Sequence, residues 1–449
     1  MDVNLVKKYN KNVPRYTSYP TAPHFKMEFD YAQALTNIAN TDLAKPISLY
    51  VHIPFCEILC LYCACNTKIV STQKPIDEYL EYLKKELDIL KNVLPGKPKV
   101  NHLHFGGGTP TSLSAENFKL LFTWLKDVFD FDFDGELSIE IDPRVITEDK
   151  MDAFVECGIN RVSFGVQDFD AQVQKVINRE QPFTMVNDVV SKLREKGIQS
   201  VNFDLIYGLP CQSVETMEET INLTSKIMPE RIALYGYAHV PHMKKHQKVL
   251  EQHHMPEAKE RFEIFTRAKE MLLALGYEFI GIDHFVLKKD NLYESFESGE
   301  LHRNFQGYTT DSNDTMLSVG STSIAQTATS YMQNAHDLPS YRKFLDEGRL
   351  PITRFIQLKQ DDIIRRDVIE TLLCYYQVDL NQIEKKYSLE EGYFDKELDL
   401  LSQYQQDDII GIHNNVLIIK PECKILVRII ASYFDDYLAR VKFTHSSGV

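Results

Sequence analysis

Between Lys45 and about Val240, short β-rich runs alternate with amphipathic stretches, and no other feature of this 449-residue sequence restricts its fold as tightly. Six runs read as strands: Ile47 to Ile53, Val100 to Phe105, Leu137 to Ile141, Arg161 to Val166, Val201 to Ile206 and Ile232 to Tyr237. The stretches between them carry helical period, as in Ile76 to Leu94, where Tyr79, Leu80, Leu83, Leu87 and Leu90 recur at threes and fours. Strands separated by helices of crossover length predict an α/β fold of repeated βα units around a parallel sheet. Each strand is followed by a polar, Gly-rich or Pro-containing segment. These are His52-Ile-Pro-Phe-Cys56, Gly106-Gly-Gly-Thr-Pro110, Glu140-Ile-Asp-Pro-Arg144, Gly165-Val-Gln-Asp168, Asp204-Leu-Ile-Tyr-Gly-Leu-Pro210 and Tyr237-Ala-His-Val-Pro241. Six decorated strand ends on one rim favour an open, six-unit partial TIM-like barrel with its chemistry at that rim. Periodicity alone does not separate this from a flat doubly wound sheet.

Past residue 350 the pattern changes. Asp361 to Tyr376 and Leu389 to Tyr404 read as helices, Asp408 to Lys420 as a hairpin turning at Asn414-Asn415, and Lys424 to Val441 as a further helix. The chain therefore divides into an N-terminal extension (1–44), a barrel domain with its extension (45–350) and a smaller, mainly helical, winged-helix-like domain (351–449). With a formal charge of −14 and no dense basic helix, that last domain suits a lid or docking role, and nucleic acid is not an expected partner. A polyanionic substrate would need a local basic pocket. No run approaches 18 uncharged apolar residues and the start lacks a signal-peptide pattern, so the expectation is a cytoplasmic protein without a membrane span.

Half of the eight cysteines lie between Cys56 and Cys65, while Cys157, Cys211, Cys374 and Cys423 sit in apolar contexts as small core residues. Cys56, Cys60 and Cys63 form CxxxCxxC immediately after the first strand. Thiolates are soft ligands suited to zinc or iron–sulfur sites. Structural zinc wants a fourth ligand; Cys65 or His52 could serve, but no second CxxC or HxxxH follows. Three ligands instead leave one iron of a [4Fe–4S] cluster open to a small molecule, and this reading is favoured.

CxxxCxxC at the first strand of a βα barrel is the signature of the radical S-adenosylmethionine (SAM) superfamily. The surrounding words resemble the oxygen-independent coproporphyrinogen III dehydrogenase family within it. They are Pro14-Arg-Tyr-Thr-Ser-Tyr-Pro20, Ser48-Leu-Tyr-Val-His-Ile-Pro-Phe-Cys56, Cys65, Gly106-Gly-Gly-Thr-Pro-Thr111, Gly165-Val-Gln-Asp-Phe169, Asn178-Arg-Glu180, Asp204-Leu-Ile-Tyr-Gly-Leu-Pro210, His302-Arg-Asn-Phe-Gln-Gly-Tyr-Thr-Thr310 and Ile364-Arg-Arg-Asp-Val-Ile369. The resemblance covers nearly the whole chain. Ala64, where many relatives have Gly, is a small departure.

That resemblance implies a [4Fe–4S] cluster on Cys56, Cys60 and Cys63, with the methionyl amine and carboxylate of SAM on the open iron. It also implies two SAM molecules side by side, contacted by Tyr50, Tyr62, Gly107, Gly108, Thr109, Glu140, Gln167, Arg179, Asp204, Ala238 and Ile324. Read alone, the glycine run is as well explained by a tight turn, and the acids by capping or solvation. Cys65 matches a fourth family cysteine that is not expected to bind iron. The implied reaction removes a β-hydrogen from a propionate of coproporphyrinogen III with a 5′-deoxyadenosyl radical, then loses carbon dioxide and an electron. Two such events give protoporphyrinogen IX, and the scheme needs no general base. Arg is suited to the substrate carboxylates because its planar fork donates two parallel hydrogen bonds, so Arg15, Arg303, Arg365 and Arg366 are the candidates. Arg15 belongs to an extension that in the family folds over the substrate region. A flavodoxin- or ferredoxin-like electron donor, an unknown acceptor and a monomeric chain complete the expectation. A related haem chaperone shares the three cysteines but lacks the CxC extension formed here by Cys63 and Cys65 and the PRYTSYP and HRNFQGYTT segments. Radical methyltransferases or haem-opening enzymes share only the barrel.

Overall fold

The computed structural model describes residues 8, 9 and 11–438. Six strands, β1 (Ile47–Ile53), β2 (Lys99–Gly107), β3 (Asp130–Ile141), β4 (Arg161–Gln167), β5 (Ser200–Tyr207) and β6 (Arg231–Gly236), lie side by side in chain order, all parallel. Beyond β6 the chain turns back through β7 (Tyr277–Ile280) and β8 (His284–Leu287), and β8 pairs antiparallel with β6. A separate hairpin, β9 (His302–Asn304) and β10 (Gly307–Thr309), precedes β11 (Met316–Val319), which adds a seventh parallel strand on the free side of β1. From there β12 (Ile324–Thr327), β13 (Ser330–Asn334) and β14 (Ile352–Gln357) continue antiparallel. The twelve strands run β14-β13-β12-β11-β1-β2-β3-β4-β5-β6-β8-β7, so the sheet is open, with β14 and β7 as its two edges.

The strand ends agree with the sequence reading to within one or two residues, except that β3 starts at Asp130. Its first half is the alternating Asp130-Phe-Asp-Phe-Asp134, joined to β2 through the Lys99–Asp130 register. Along each strand one set of side chains is fully buried and apolar. Leu49, Val51, Leu103, Phe105, Ile139, Val162, Phe164 and Phe203 belong to one cluster with the predicted face of the helix Lys74–Val93. Each such side chain contributes about 1.5–3 kcal/mol of burial. Trp124 packs half-buried against the same cluster. The helix also carries a carboxyl into this layer. Glu86, 2% exposed, accepts hydrogen bonds from Gly320 N at 2.8 Å, Asn334 Nδ2 at 2.7 Å and the Tyr341 hydroxyl. Burial raises its pKa to about 7.

A second core is built around the helix Gln360–Tyr375 and a three-stranded sheet of β15 (Gln377–Asp379), β16 (Ile410–His413) and β17 (Val416–Ile419), ordered β15-β17-β16. The hairpin turns at Asn414 (φ +50°) and Asn415 (φ +59°), the two left-handed residues a tight primed turn requires. Val13, Tyr16 and Tyr19 of the N-terminal segment belong to this same core.

Two predicted helices differ. In place of Leu389–Tyr404 there are the short helices Asp395–Leu400 and Ser402–Gln406, after a helix Leu380–Tyr387 that precedes the predicted one and ends where Ser388 takes left-handed backbone, as Gly392 does before the next begins. In place of Lys424–Val441 a 3₁₀ turn (Pro421–Leu426) leads into Val427–Ala431 and a second 3₁₀ turn ending at Phe434. Val427, Ile429, Ile430 and Ala431 are all fully buried. Just beyond them the Asp435 carboxylate takes the N–H groups of Tyr437 (2.9 Å) and Leu438 (3.1 Å). The last three residues of that prediction lie outside the described residues.

Candidate active site

The cysteine loop begins three residues after β1. Cys60 is buried, Cys56 and Cys63 are half-buried and Cys65 is exposed. Two guanidiniums donate to Cys60 Sγ, Arg179 Nη1 at 3.4 Å and Arg144 Nη2 at 3.5 Å. Both are held by Asp142, at 3.4 and 2.7 Å, and Arg179 Nε also donates to the Gly165 carbonyl at 2.8 Å. The ends of β3 and β4 are thereby tied to the loop. Hydrogen bonding by Cys65 lowers the Cys63 pKa to about 6 and pushes Cys65 up, whereas burial raises Cys56 to about 12.

The glycine run has a concrete function here. A Cβ on Gly108 would meet the Phe55 carbonyl oxygen at 2.6 Å, and one on Gly107 (φ +123°) the Ile53 carbonyl oxygen at 2.8 Å. Without side chains, Gly108 N reaches Ile53 O and Thr109 N reaches Phe55 O, each at 2.8 Å, so the end of β2 lies against the start of the cysteine loop. Among the described residues no three His, Cys, Asp or Glu side chains converge on a single ion position. Three thiols with two guanidiniums donating to one sulfur suit an anionic polynuclear cluster held at three corners, whose negative charge those cations offset.

The other faces of the strands line a cavity of about 490 Å³. Tyr50 and His52 from β1, His104 from β2, Ser138 and Glu140 from β3, Ser163 from β4, Asn202 and Asp204 from β5 and Tyr235 from β6 form its wall, with Ile324 opposite. Tyr50 Oη lies 3.0 Å from His52 Nδ1, and burial lowers the His52 pKa to about 4, so this imidazole is neutral at pH 7. Glu140 accepts from Gly107 N (3.2 Å) and faces His104 Nε2 at 3.4 Å. Asp204 accepts from Asn202 Nδ2 (3.0 Å) and Ser163 Oγ (3.3 Å), and burial, then the charge of Glu140, raises its pKa to about 7. Gln167 is buried at φ +67°, and a Cβ on Gly165 would come within 2.6 Å of its amide nitrogen and 3.0 Å of Arg179 Nη2. The floor is ionic. Arg161 Nε lies 2.9 Å from Glu136, Arg231 Nε 2.8 Å from Asp290, and despite burial the two guanidiniums hold Glu136 near a pKa of 2.

Tyr62 and the exposed Ala238 are joined by Gln247, whose amide donates to both carbonyls, at 2.8 and 3.4 Å. The same segment braces the cysteine loop, since His246 Nε2 lies 2.8 Å from the Cys63 carbonyl and Lys244 Nζ donates to that of Cys65 at 2.7 Å. These three residues were missed by the sequence reading. So were Phe305 and Gln306, which line the cavity from within the HRNFQGYTT segment.

The four arginine candidates separate. Arg15 stacks on the Tyr235 ring (5.5 Å) and Arg303 on the Tyr308 ring (4.5 Å), and both rings line the cavity. Arg303 Nη2 donates to the Arg15 carbonyl at 3.4 Å. Arg366, against Tyr331 Oη at 3.4 Å, lines a neighbouring cavity together with Arg303. Arg365 is not brought to the cavity: Asp361 and Glu397 pair with it, each at 2.9 Å, and it donates to the Phe434 carbonyl, inside the second core.

Comparison with known proteins identifies the family. The radical SAM superfamily model matches residues 50–224. The oxygen-independent coproporphyrinogen III oxidase of Helicobacter pylori (strain J99) is 40% identical over 443 residues, 98% of this chain and 97% of that protein. Its namesake from Escherichia coli (strain K12) is 38% identical over 438 residues, 97% and 95% of the two chains. The solved structure of coproporphyrinogen III oxidase from Escherichia coli, described as a radical SAM enzyme, superposes with a TM-score of 0.92 at 37% identity, covering 97% of this chain and 99% of that one. Identity of this order over almost the full length shows that the chain belongs to the oxygen-independent coproporphyrinogen III oxidase family of radical SAM enzymes.

Proposed function

We propose that this chain converts two propionate side chains of coproporphyrinogen III to vinyl groups without oxygen, giving protoporphyrinogen IX for haem biosynthesis. The observation that carries this reading is the three-thiol loop continuing directly from the strand whose Tyr50 and His52 line a polar cavity, in a chain of this family. Cys56, Cys60 and Cys63 would hold the [4Fe–4S] cluster, with Arg179 and Arg144 offsetting negative charge at Cys60. When bound and reduced by one electron from an external donor, the cluster would cleave SAM to methionine and a 5′-deoxyadenosyl radical able to take a propionate β-hydrogen as 5′-deoxyadenosine, after which carbon dioxide and one further electron, taken by an acceptor, would leave.

The chain's own residues orient and enclose. Gly107, Gly108 and Thr109 offer backbone to the methionyl part. Glu140 and Asp204 suit ribose hydroxyls or the sulfonium charge, and Tyr50, Tyr62, Gln167, Arg179, Ala238 and Ile324 complete the contacts. Two SAM molecules share these positions. Arg15 and Arg303, with Arg366 further out, meet propionates, while the extension from 11 to 44 covers the substrate region. A flavodoxin- or ferredoxin-like donor, a monomeric state and a cytoplasmic location complete the proposal.

The test is an anaerobic reaction of cluster-reconstituted protein with SAM, a reductant and coproporphyrinogen III, followed by chromatography of porphyrins, 5′-deoxyadenosine and methionine. Protoporphyrin products in step with both cleavage products, abolished by Cys60→Ala, are expected. Cleavage without decarboxylation would move the substrate elsewhere. Tight haem binding without cleavage would sink the enzymatic reading.

A further inference from the structure

A further cavity, of about 70 Å³, opens between the end of β6, the Gly281–Asp283 turn, the N-terminal segment and the second core. Arg15, Lys269, Lys424 and Arg428 line it, against one lining carboxylate, Asp283. Asp283 is already engaged by His284 Nδ1 at 2.7 Å. Arg428 is engaged by the carbonyls of Val13 (2.7 Å) and Pro14 (3.2 Å), and the other three cations around so small a space stand out in a chain of formal charge −14. Among the described residues Lys269, Lys424 and Arg15 make no ion pair. Lys269 Nζ rests over the Phe279 ring at 4.3 Å, Lys424 Nζ over the Tyr376 ring at 4.1 Å and Arg15 over Tyr235. Ring faces attract a cation without neutralising it. Burial lowers the pKa of both lysines, and Lys424 further lowers that of Lys269. Gathering like charges in a half-buried space is unfavourable unless an anion joins them.

We propose that this cavity binds the carboxylate of a propionate that is not reacting, with Lys269 and Lys424 as its principal ligands. The proposal rests on the tetrapyrrole reading above. Size points to a carboxylate end alone, because the space holds only a few water-sized groups and no ring. Position points to the substrate. Tyr235, under Arg15, lines the central cavity, and Arg303, whose buried Nε and Nη1 lack hydrogen-bond partners, stacks on Tyr308 at the same wall. The central wall near the strand ends carries Glu140 and Asp204 and would repel the remaining carboxylates of a tetra-acid. Arg15, one aromatic side chain away over Tyr235, attracts them toward the cavity it lines with Lys269 and Lys424.

The probe is coproporphyrin III, the unreactive oxidised tetra-acid, titrated by fluorescence into the full-length, cluster-reconstituted protein at several salt concentrations. Lys269→Met combined with Lys424→Met should weaken binding about tenfold, about 1.4 kcal/mol, and flatten its salt dependence. Lys269→Arg with Lys424→Arg should restore most of the affinity, and matching near-ultraviolet dichroism of all three proteins would exclude misfolding as the cause. Wild-type affinity and salt dependence in the Met pair would overturn the proposal, as would equal losses in the Met and Arg pairs. Inorganic phosphate binding the wild type but not the Met pair, with coproporphyrin unaffected, would reassign the cavity to free phosphate and overturn the substrate assignment. Coproporphyrin III failing to bind the wild type would overturn the proposal, and the anaerobic reaction with coproporphyrinogen III decides separately whether the tetrapyrrole reading stands.

Discussion

The two faces of the parallel strands have opposite compositions. On the outer face, Val51, Phe105, Val162, Phe164 and Phe203 are fully buried in one apolar cluster with the crossover helices. On the inner face, one residue along from these, stand Tyr50, His52, His104, Ser163, Asn202 and Asp204 around an open cavity. Parallel strands usually bury apolar side chains on both faces, and the inside of a βα barrel is usually a packed core. Here only the outer face can carry the folding free energy, because the inner polar groups are hydrogen-bonded at little net gain. Stability and chemistry are divided between alternate residues of the same strand, so neighbouring substitutions should separate them.

Phe203→Ala should have the largest effect. Its ring packs edge-on against Phe164 at 5.9 Å, and truncation should cost about 3–5 kcal/mol of unfolding free energy by urea denaturation. A loss below 1 kcal/mol would break the claim that the outer face carries the fold. Next comes Glu86, a carboxyl buried in the outer layer. Its folded pKa of about 7 lies above the ordinary value, so the folded state holds the extra proton between about pH 4.5 and 7. Stability from this group is therefore full below that window and falls by about 3 kcal/mol as pH rises through it. Glu86→Gln should remove that part of the slope when urea midpoints at pH 5 and pH 7.5 are compared. An unchanged slope would show that Glu86 ionises freely where it sits.

The same division decides what was legible in the sequence. Strands β1 to β6 could be read because their outer residues alternate with polar ones and Gly- or Pro-containing ends follow, all of it local information. The three thiols were legible for the same reason. Asp130–Asp134 alternates as clearly, but Asp is depleted in strands, so composition there opposes the period. Lys244, His246 and Gln247 carried no signal, since His246 lies 183 residues from the carbonyl it meets and the hydrogen bond is to backbone, which has no sequence signature. Glu86 sits among leucines of a predicted helix, but its partners Gly320, Asn334 and Tyr341 are more than 230 residues away. Arg365 and Arg366 are adjacent in the sequence, and only the fold sends one to Glu397 and the other toward Tyr331.

Asp204→Asn should produce the smallest change in stability, with the opposite sign to Phe203→Ala. Asp204 follows Phe203 and faces the cavity, and its pKa of about 7 lies above its ordinary value because of burial and then Glu140. Ionising it in the folded state is therefore costly, and its contribution to stability falls as pH rises between about 4 and 7. An amide keeps an acceptor for Asn202 Nδ2 and cannot ionise, so at pH 7.5 the variant should be at least as stable as wild type. Binding should move the other way. If Asp204 faces the sulfonium or the ribose of SAM, wild-type affinity should strengthen as pH rises through 7, and the variant should bind about tenfold more weakly at pH 8 with little pH dependence. Equilibrium dialysis with SAM at pH 6 and pH 8, beside urea midpoints at pH 7.5, reads both effects. A variant destabilised as severely as Phe203→Ala would show that the inner face holds the fold together after all, and unchanged SAM affinity at both pH values would remove Asp204 from the cofactor site.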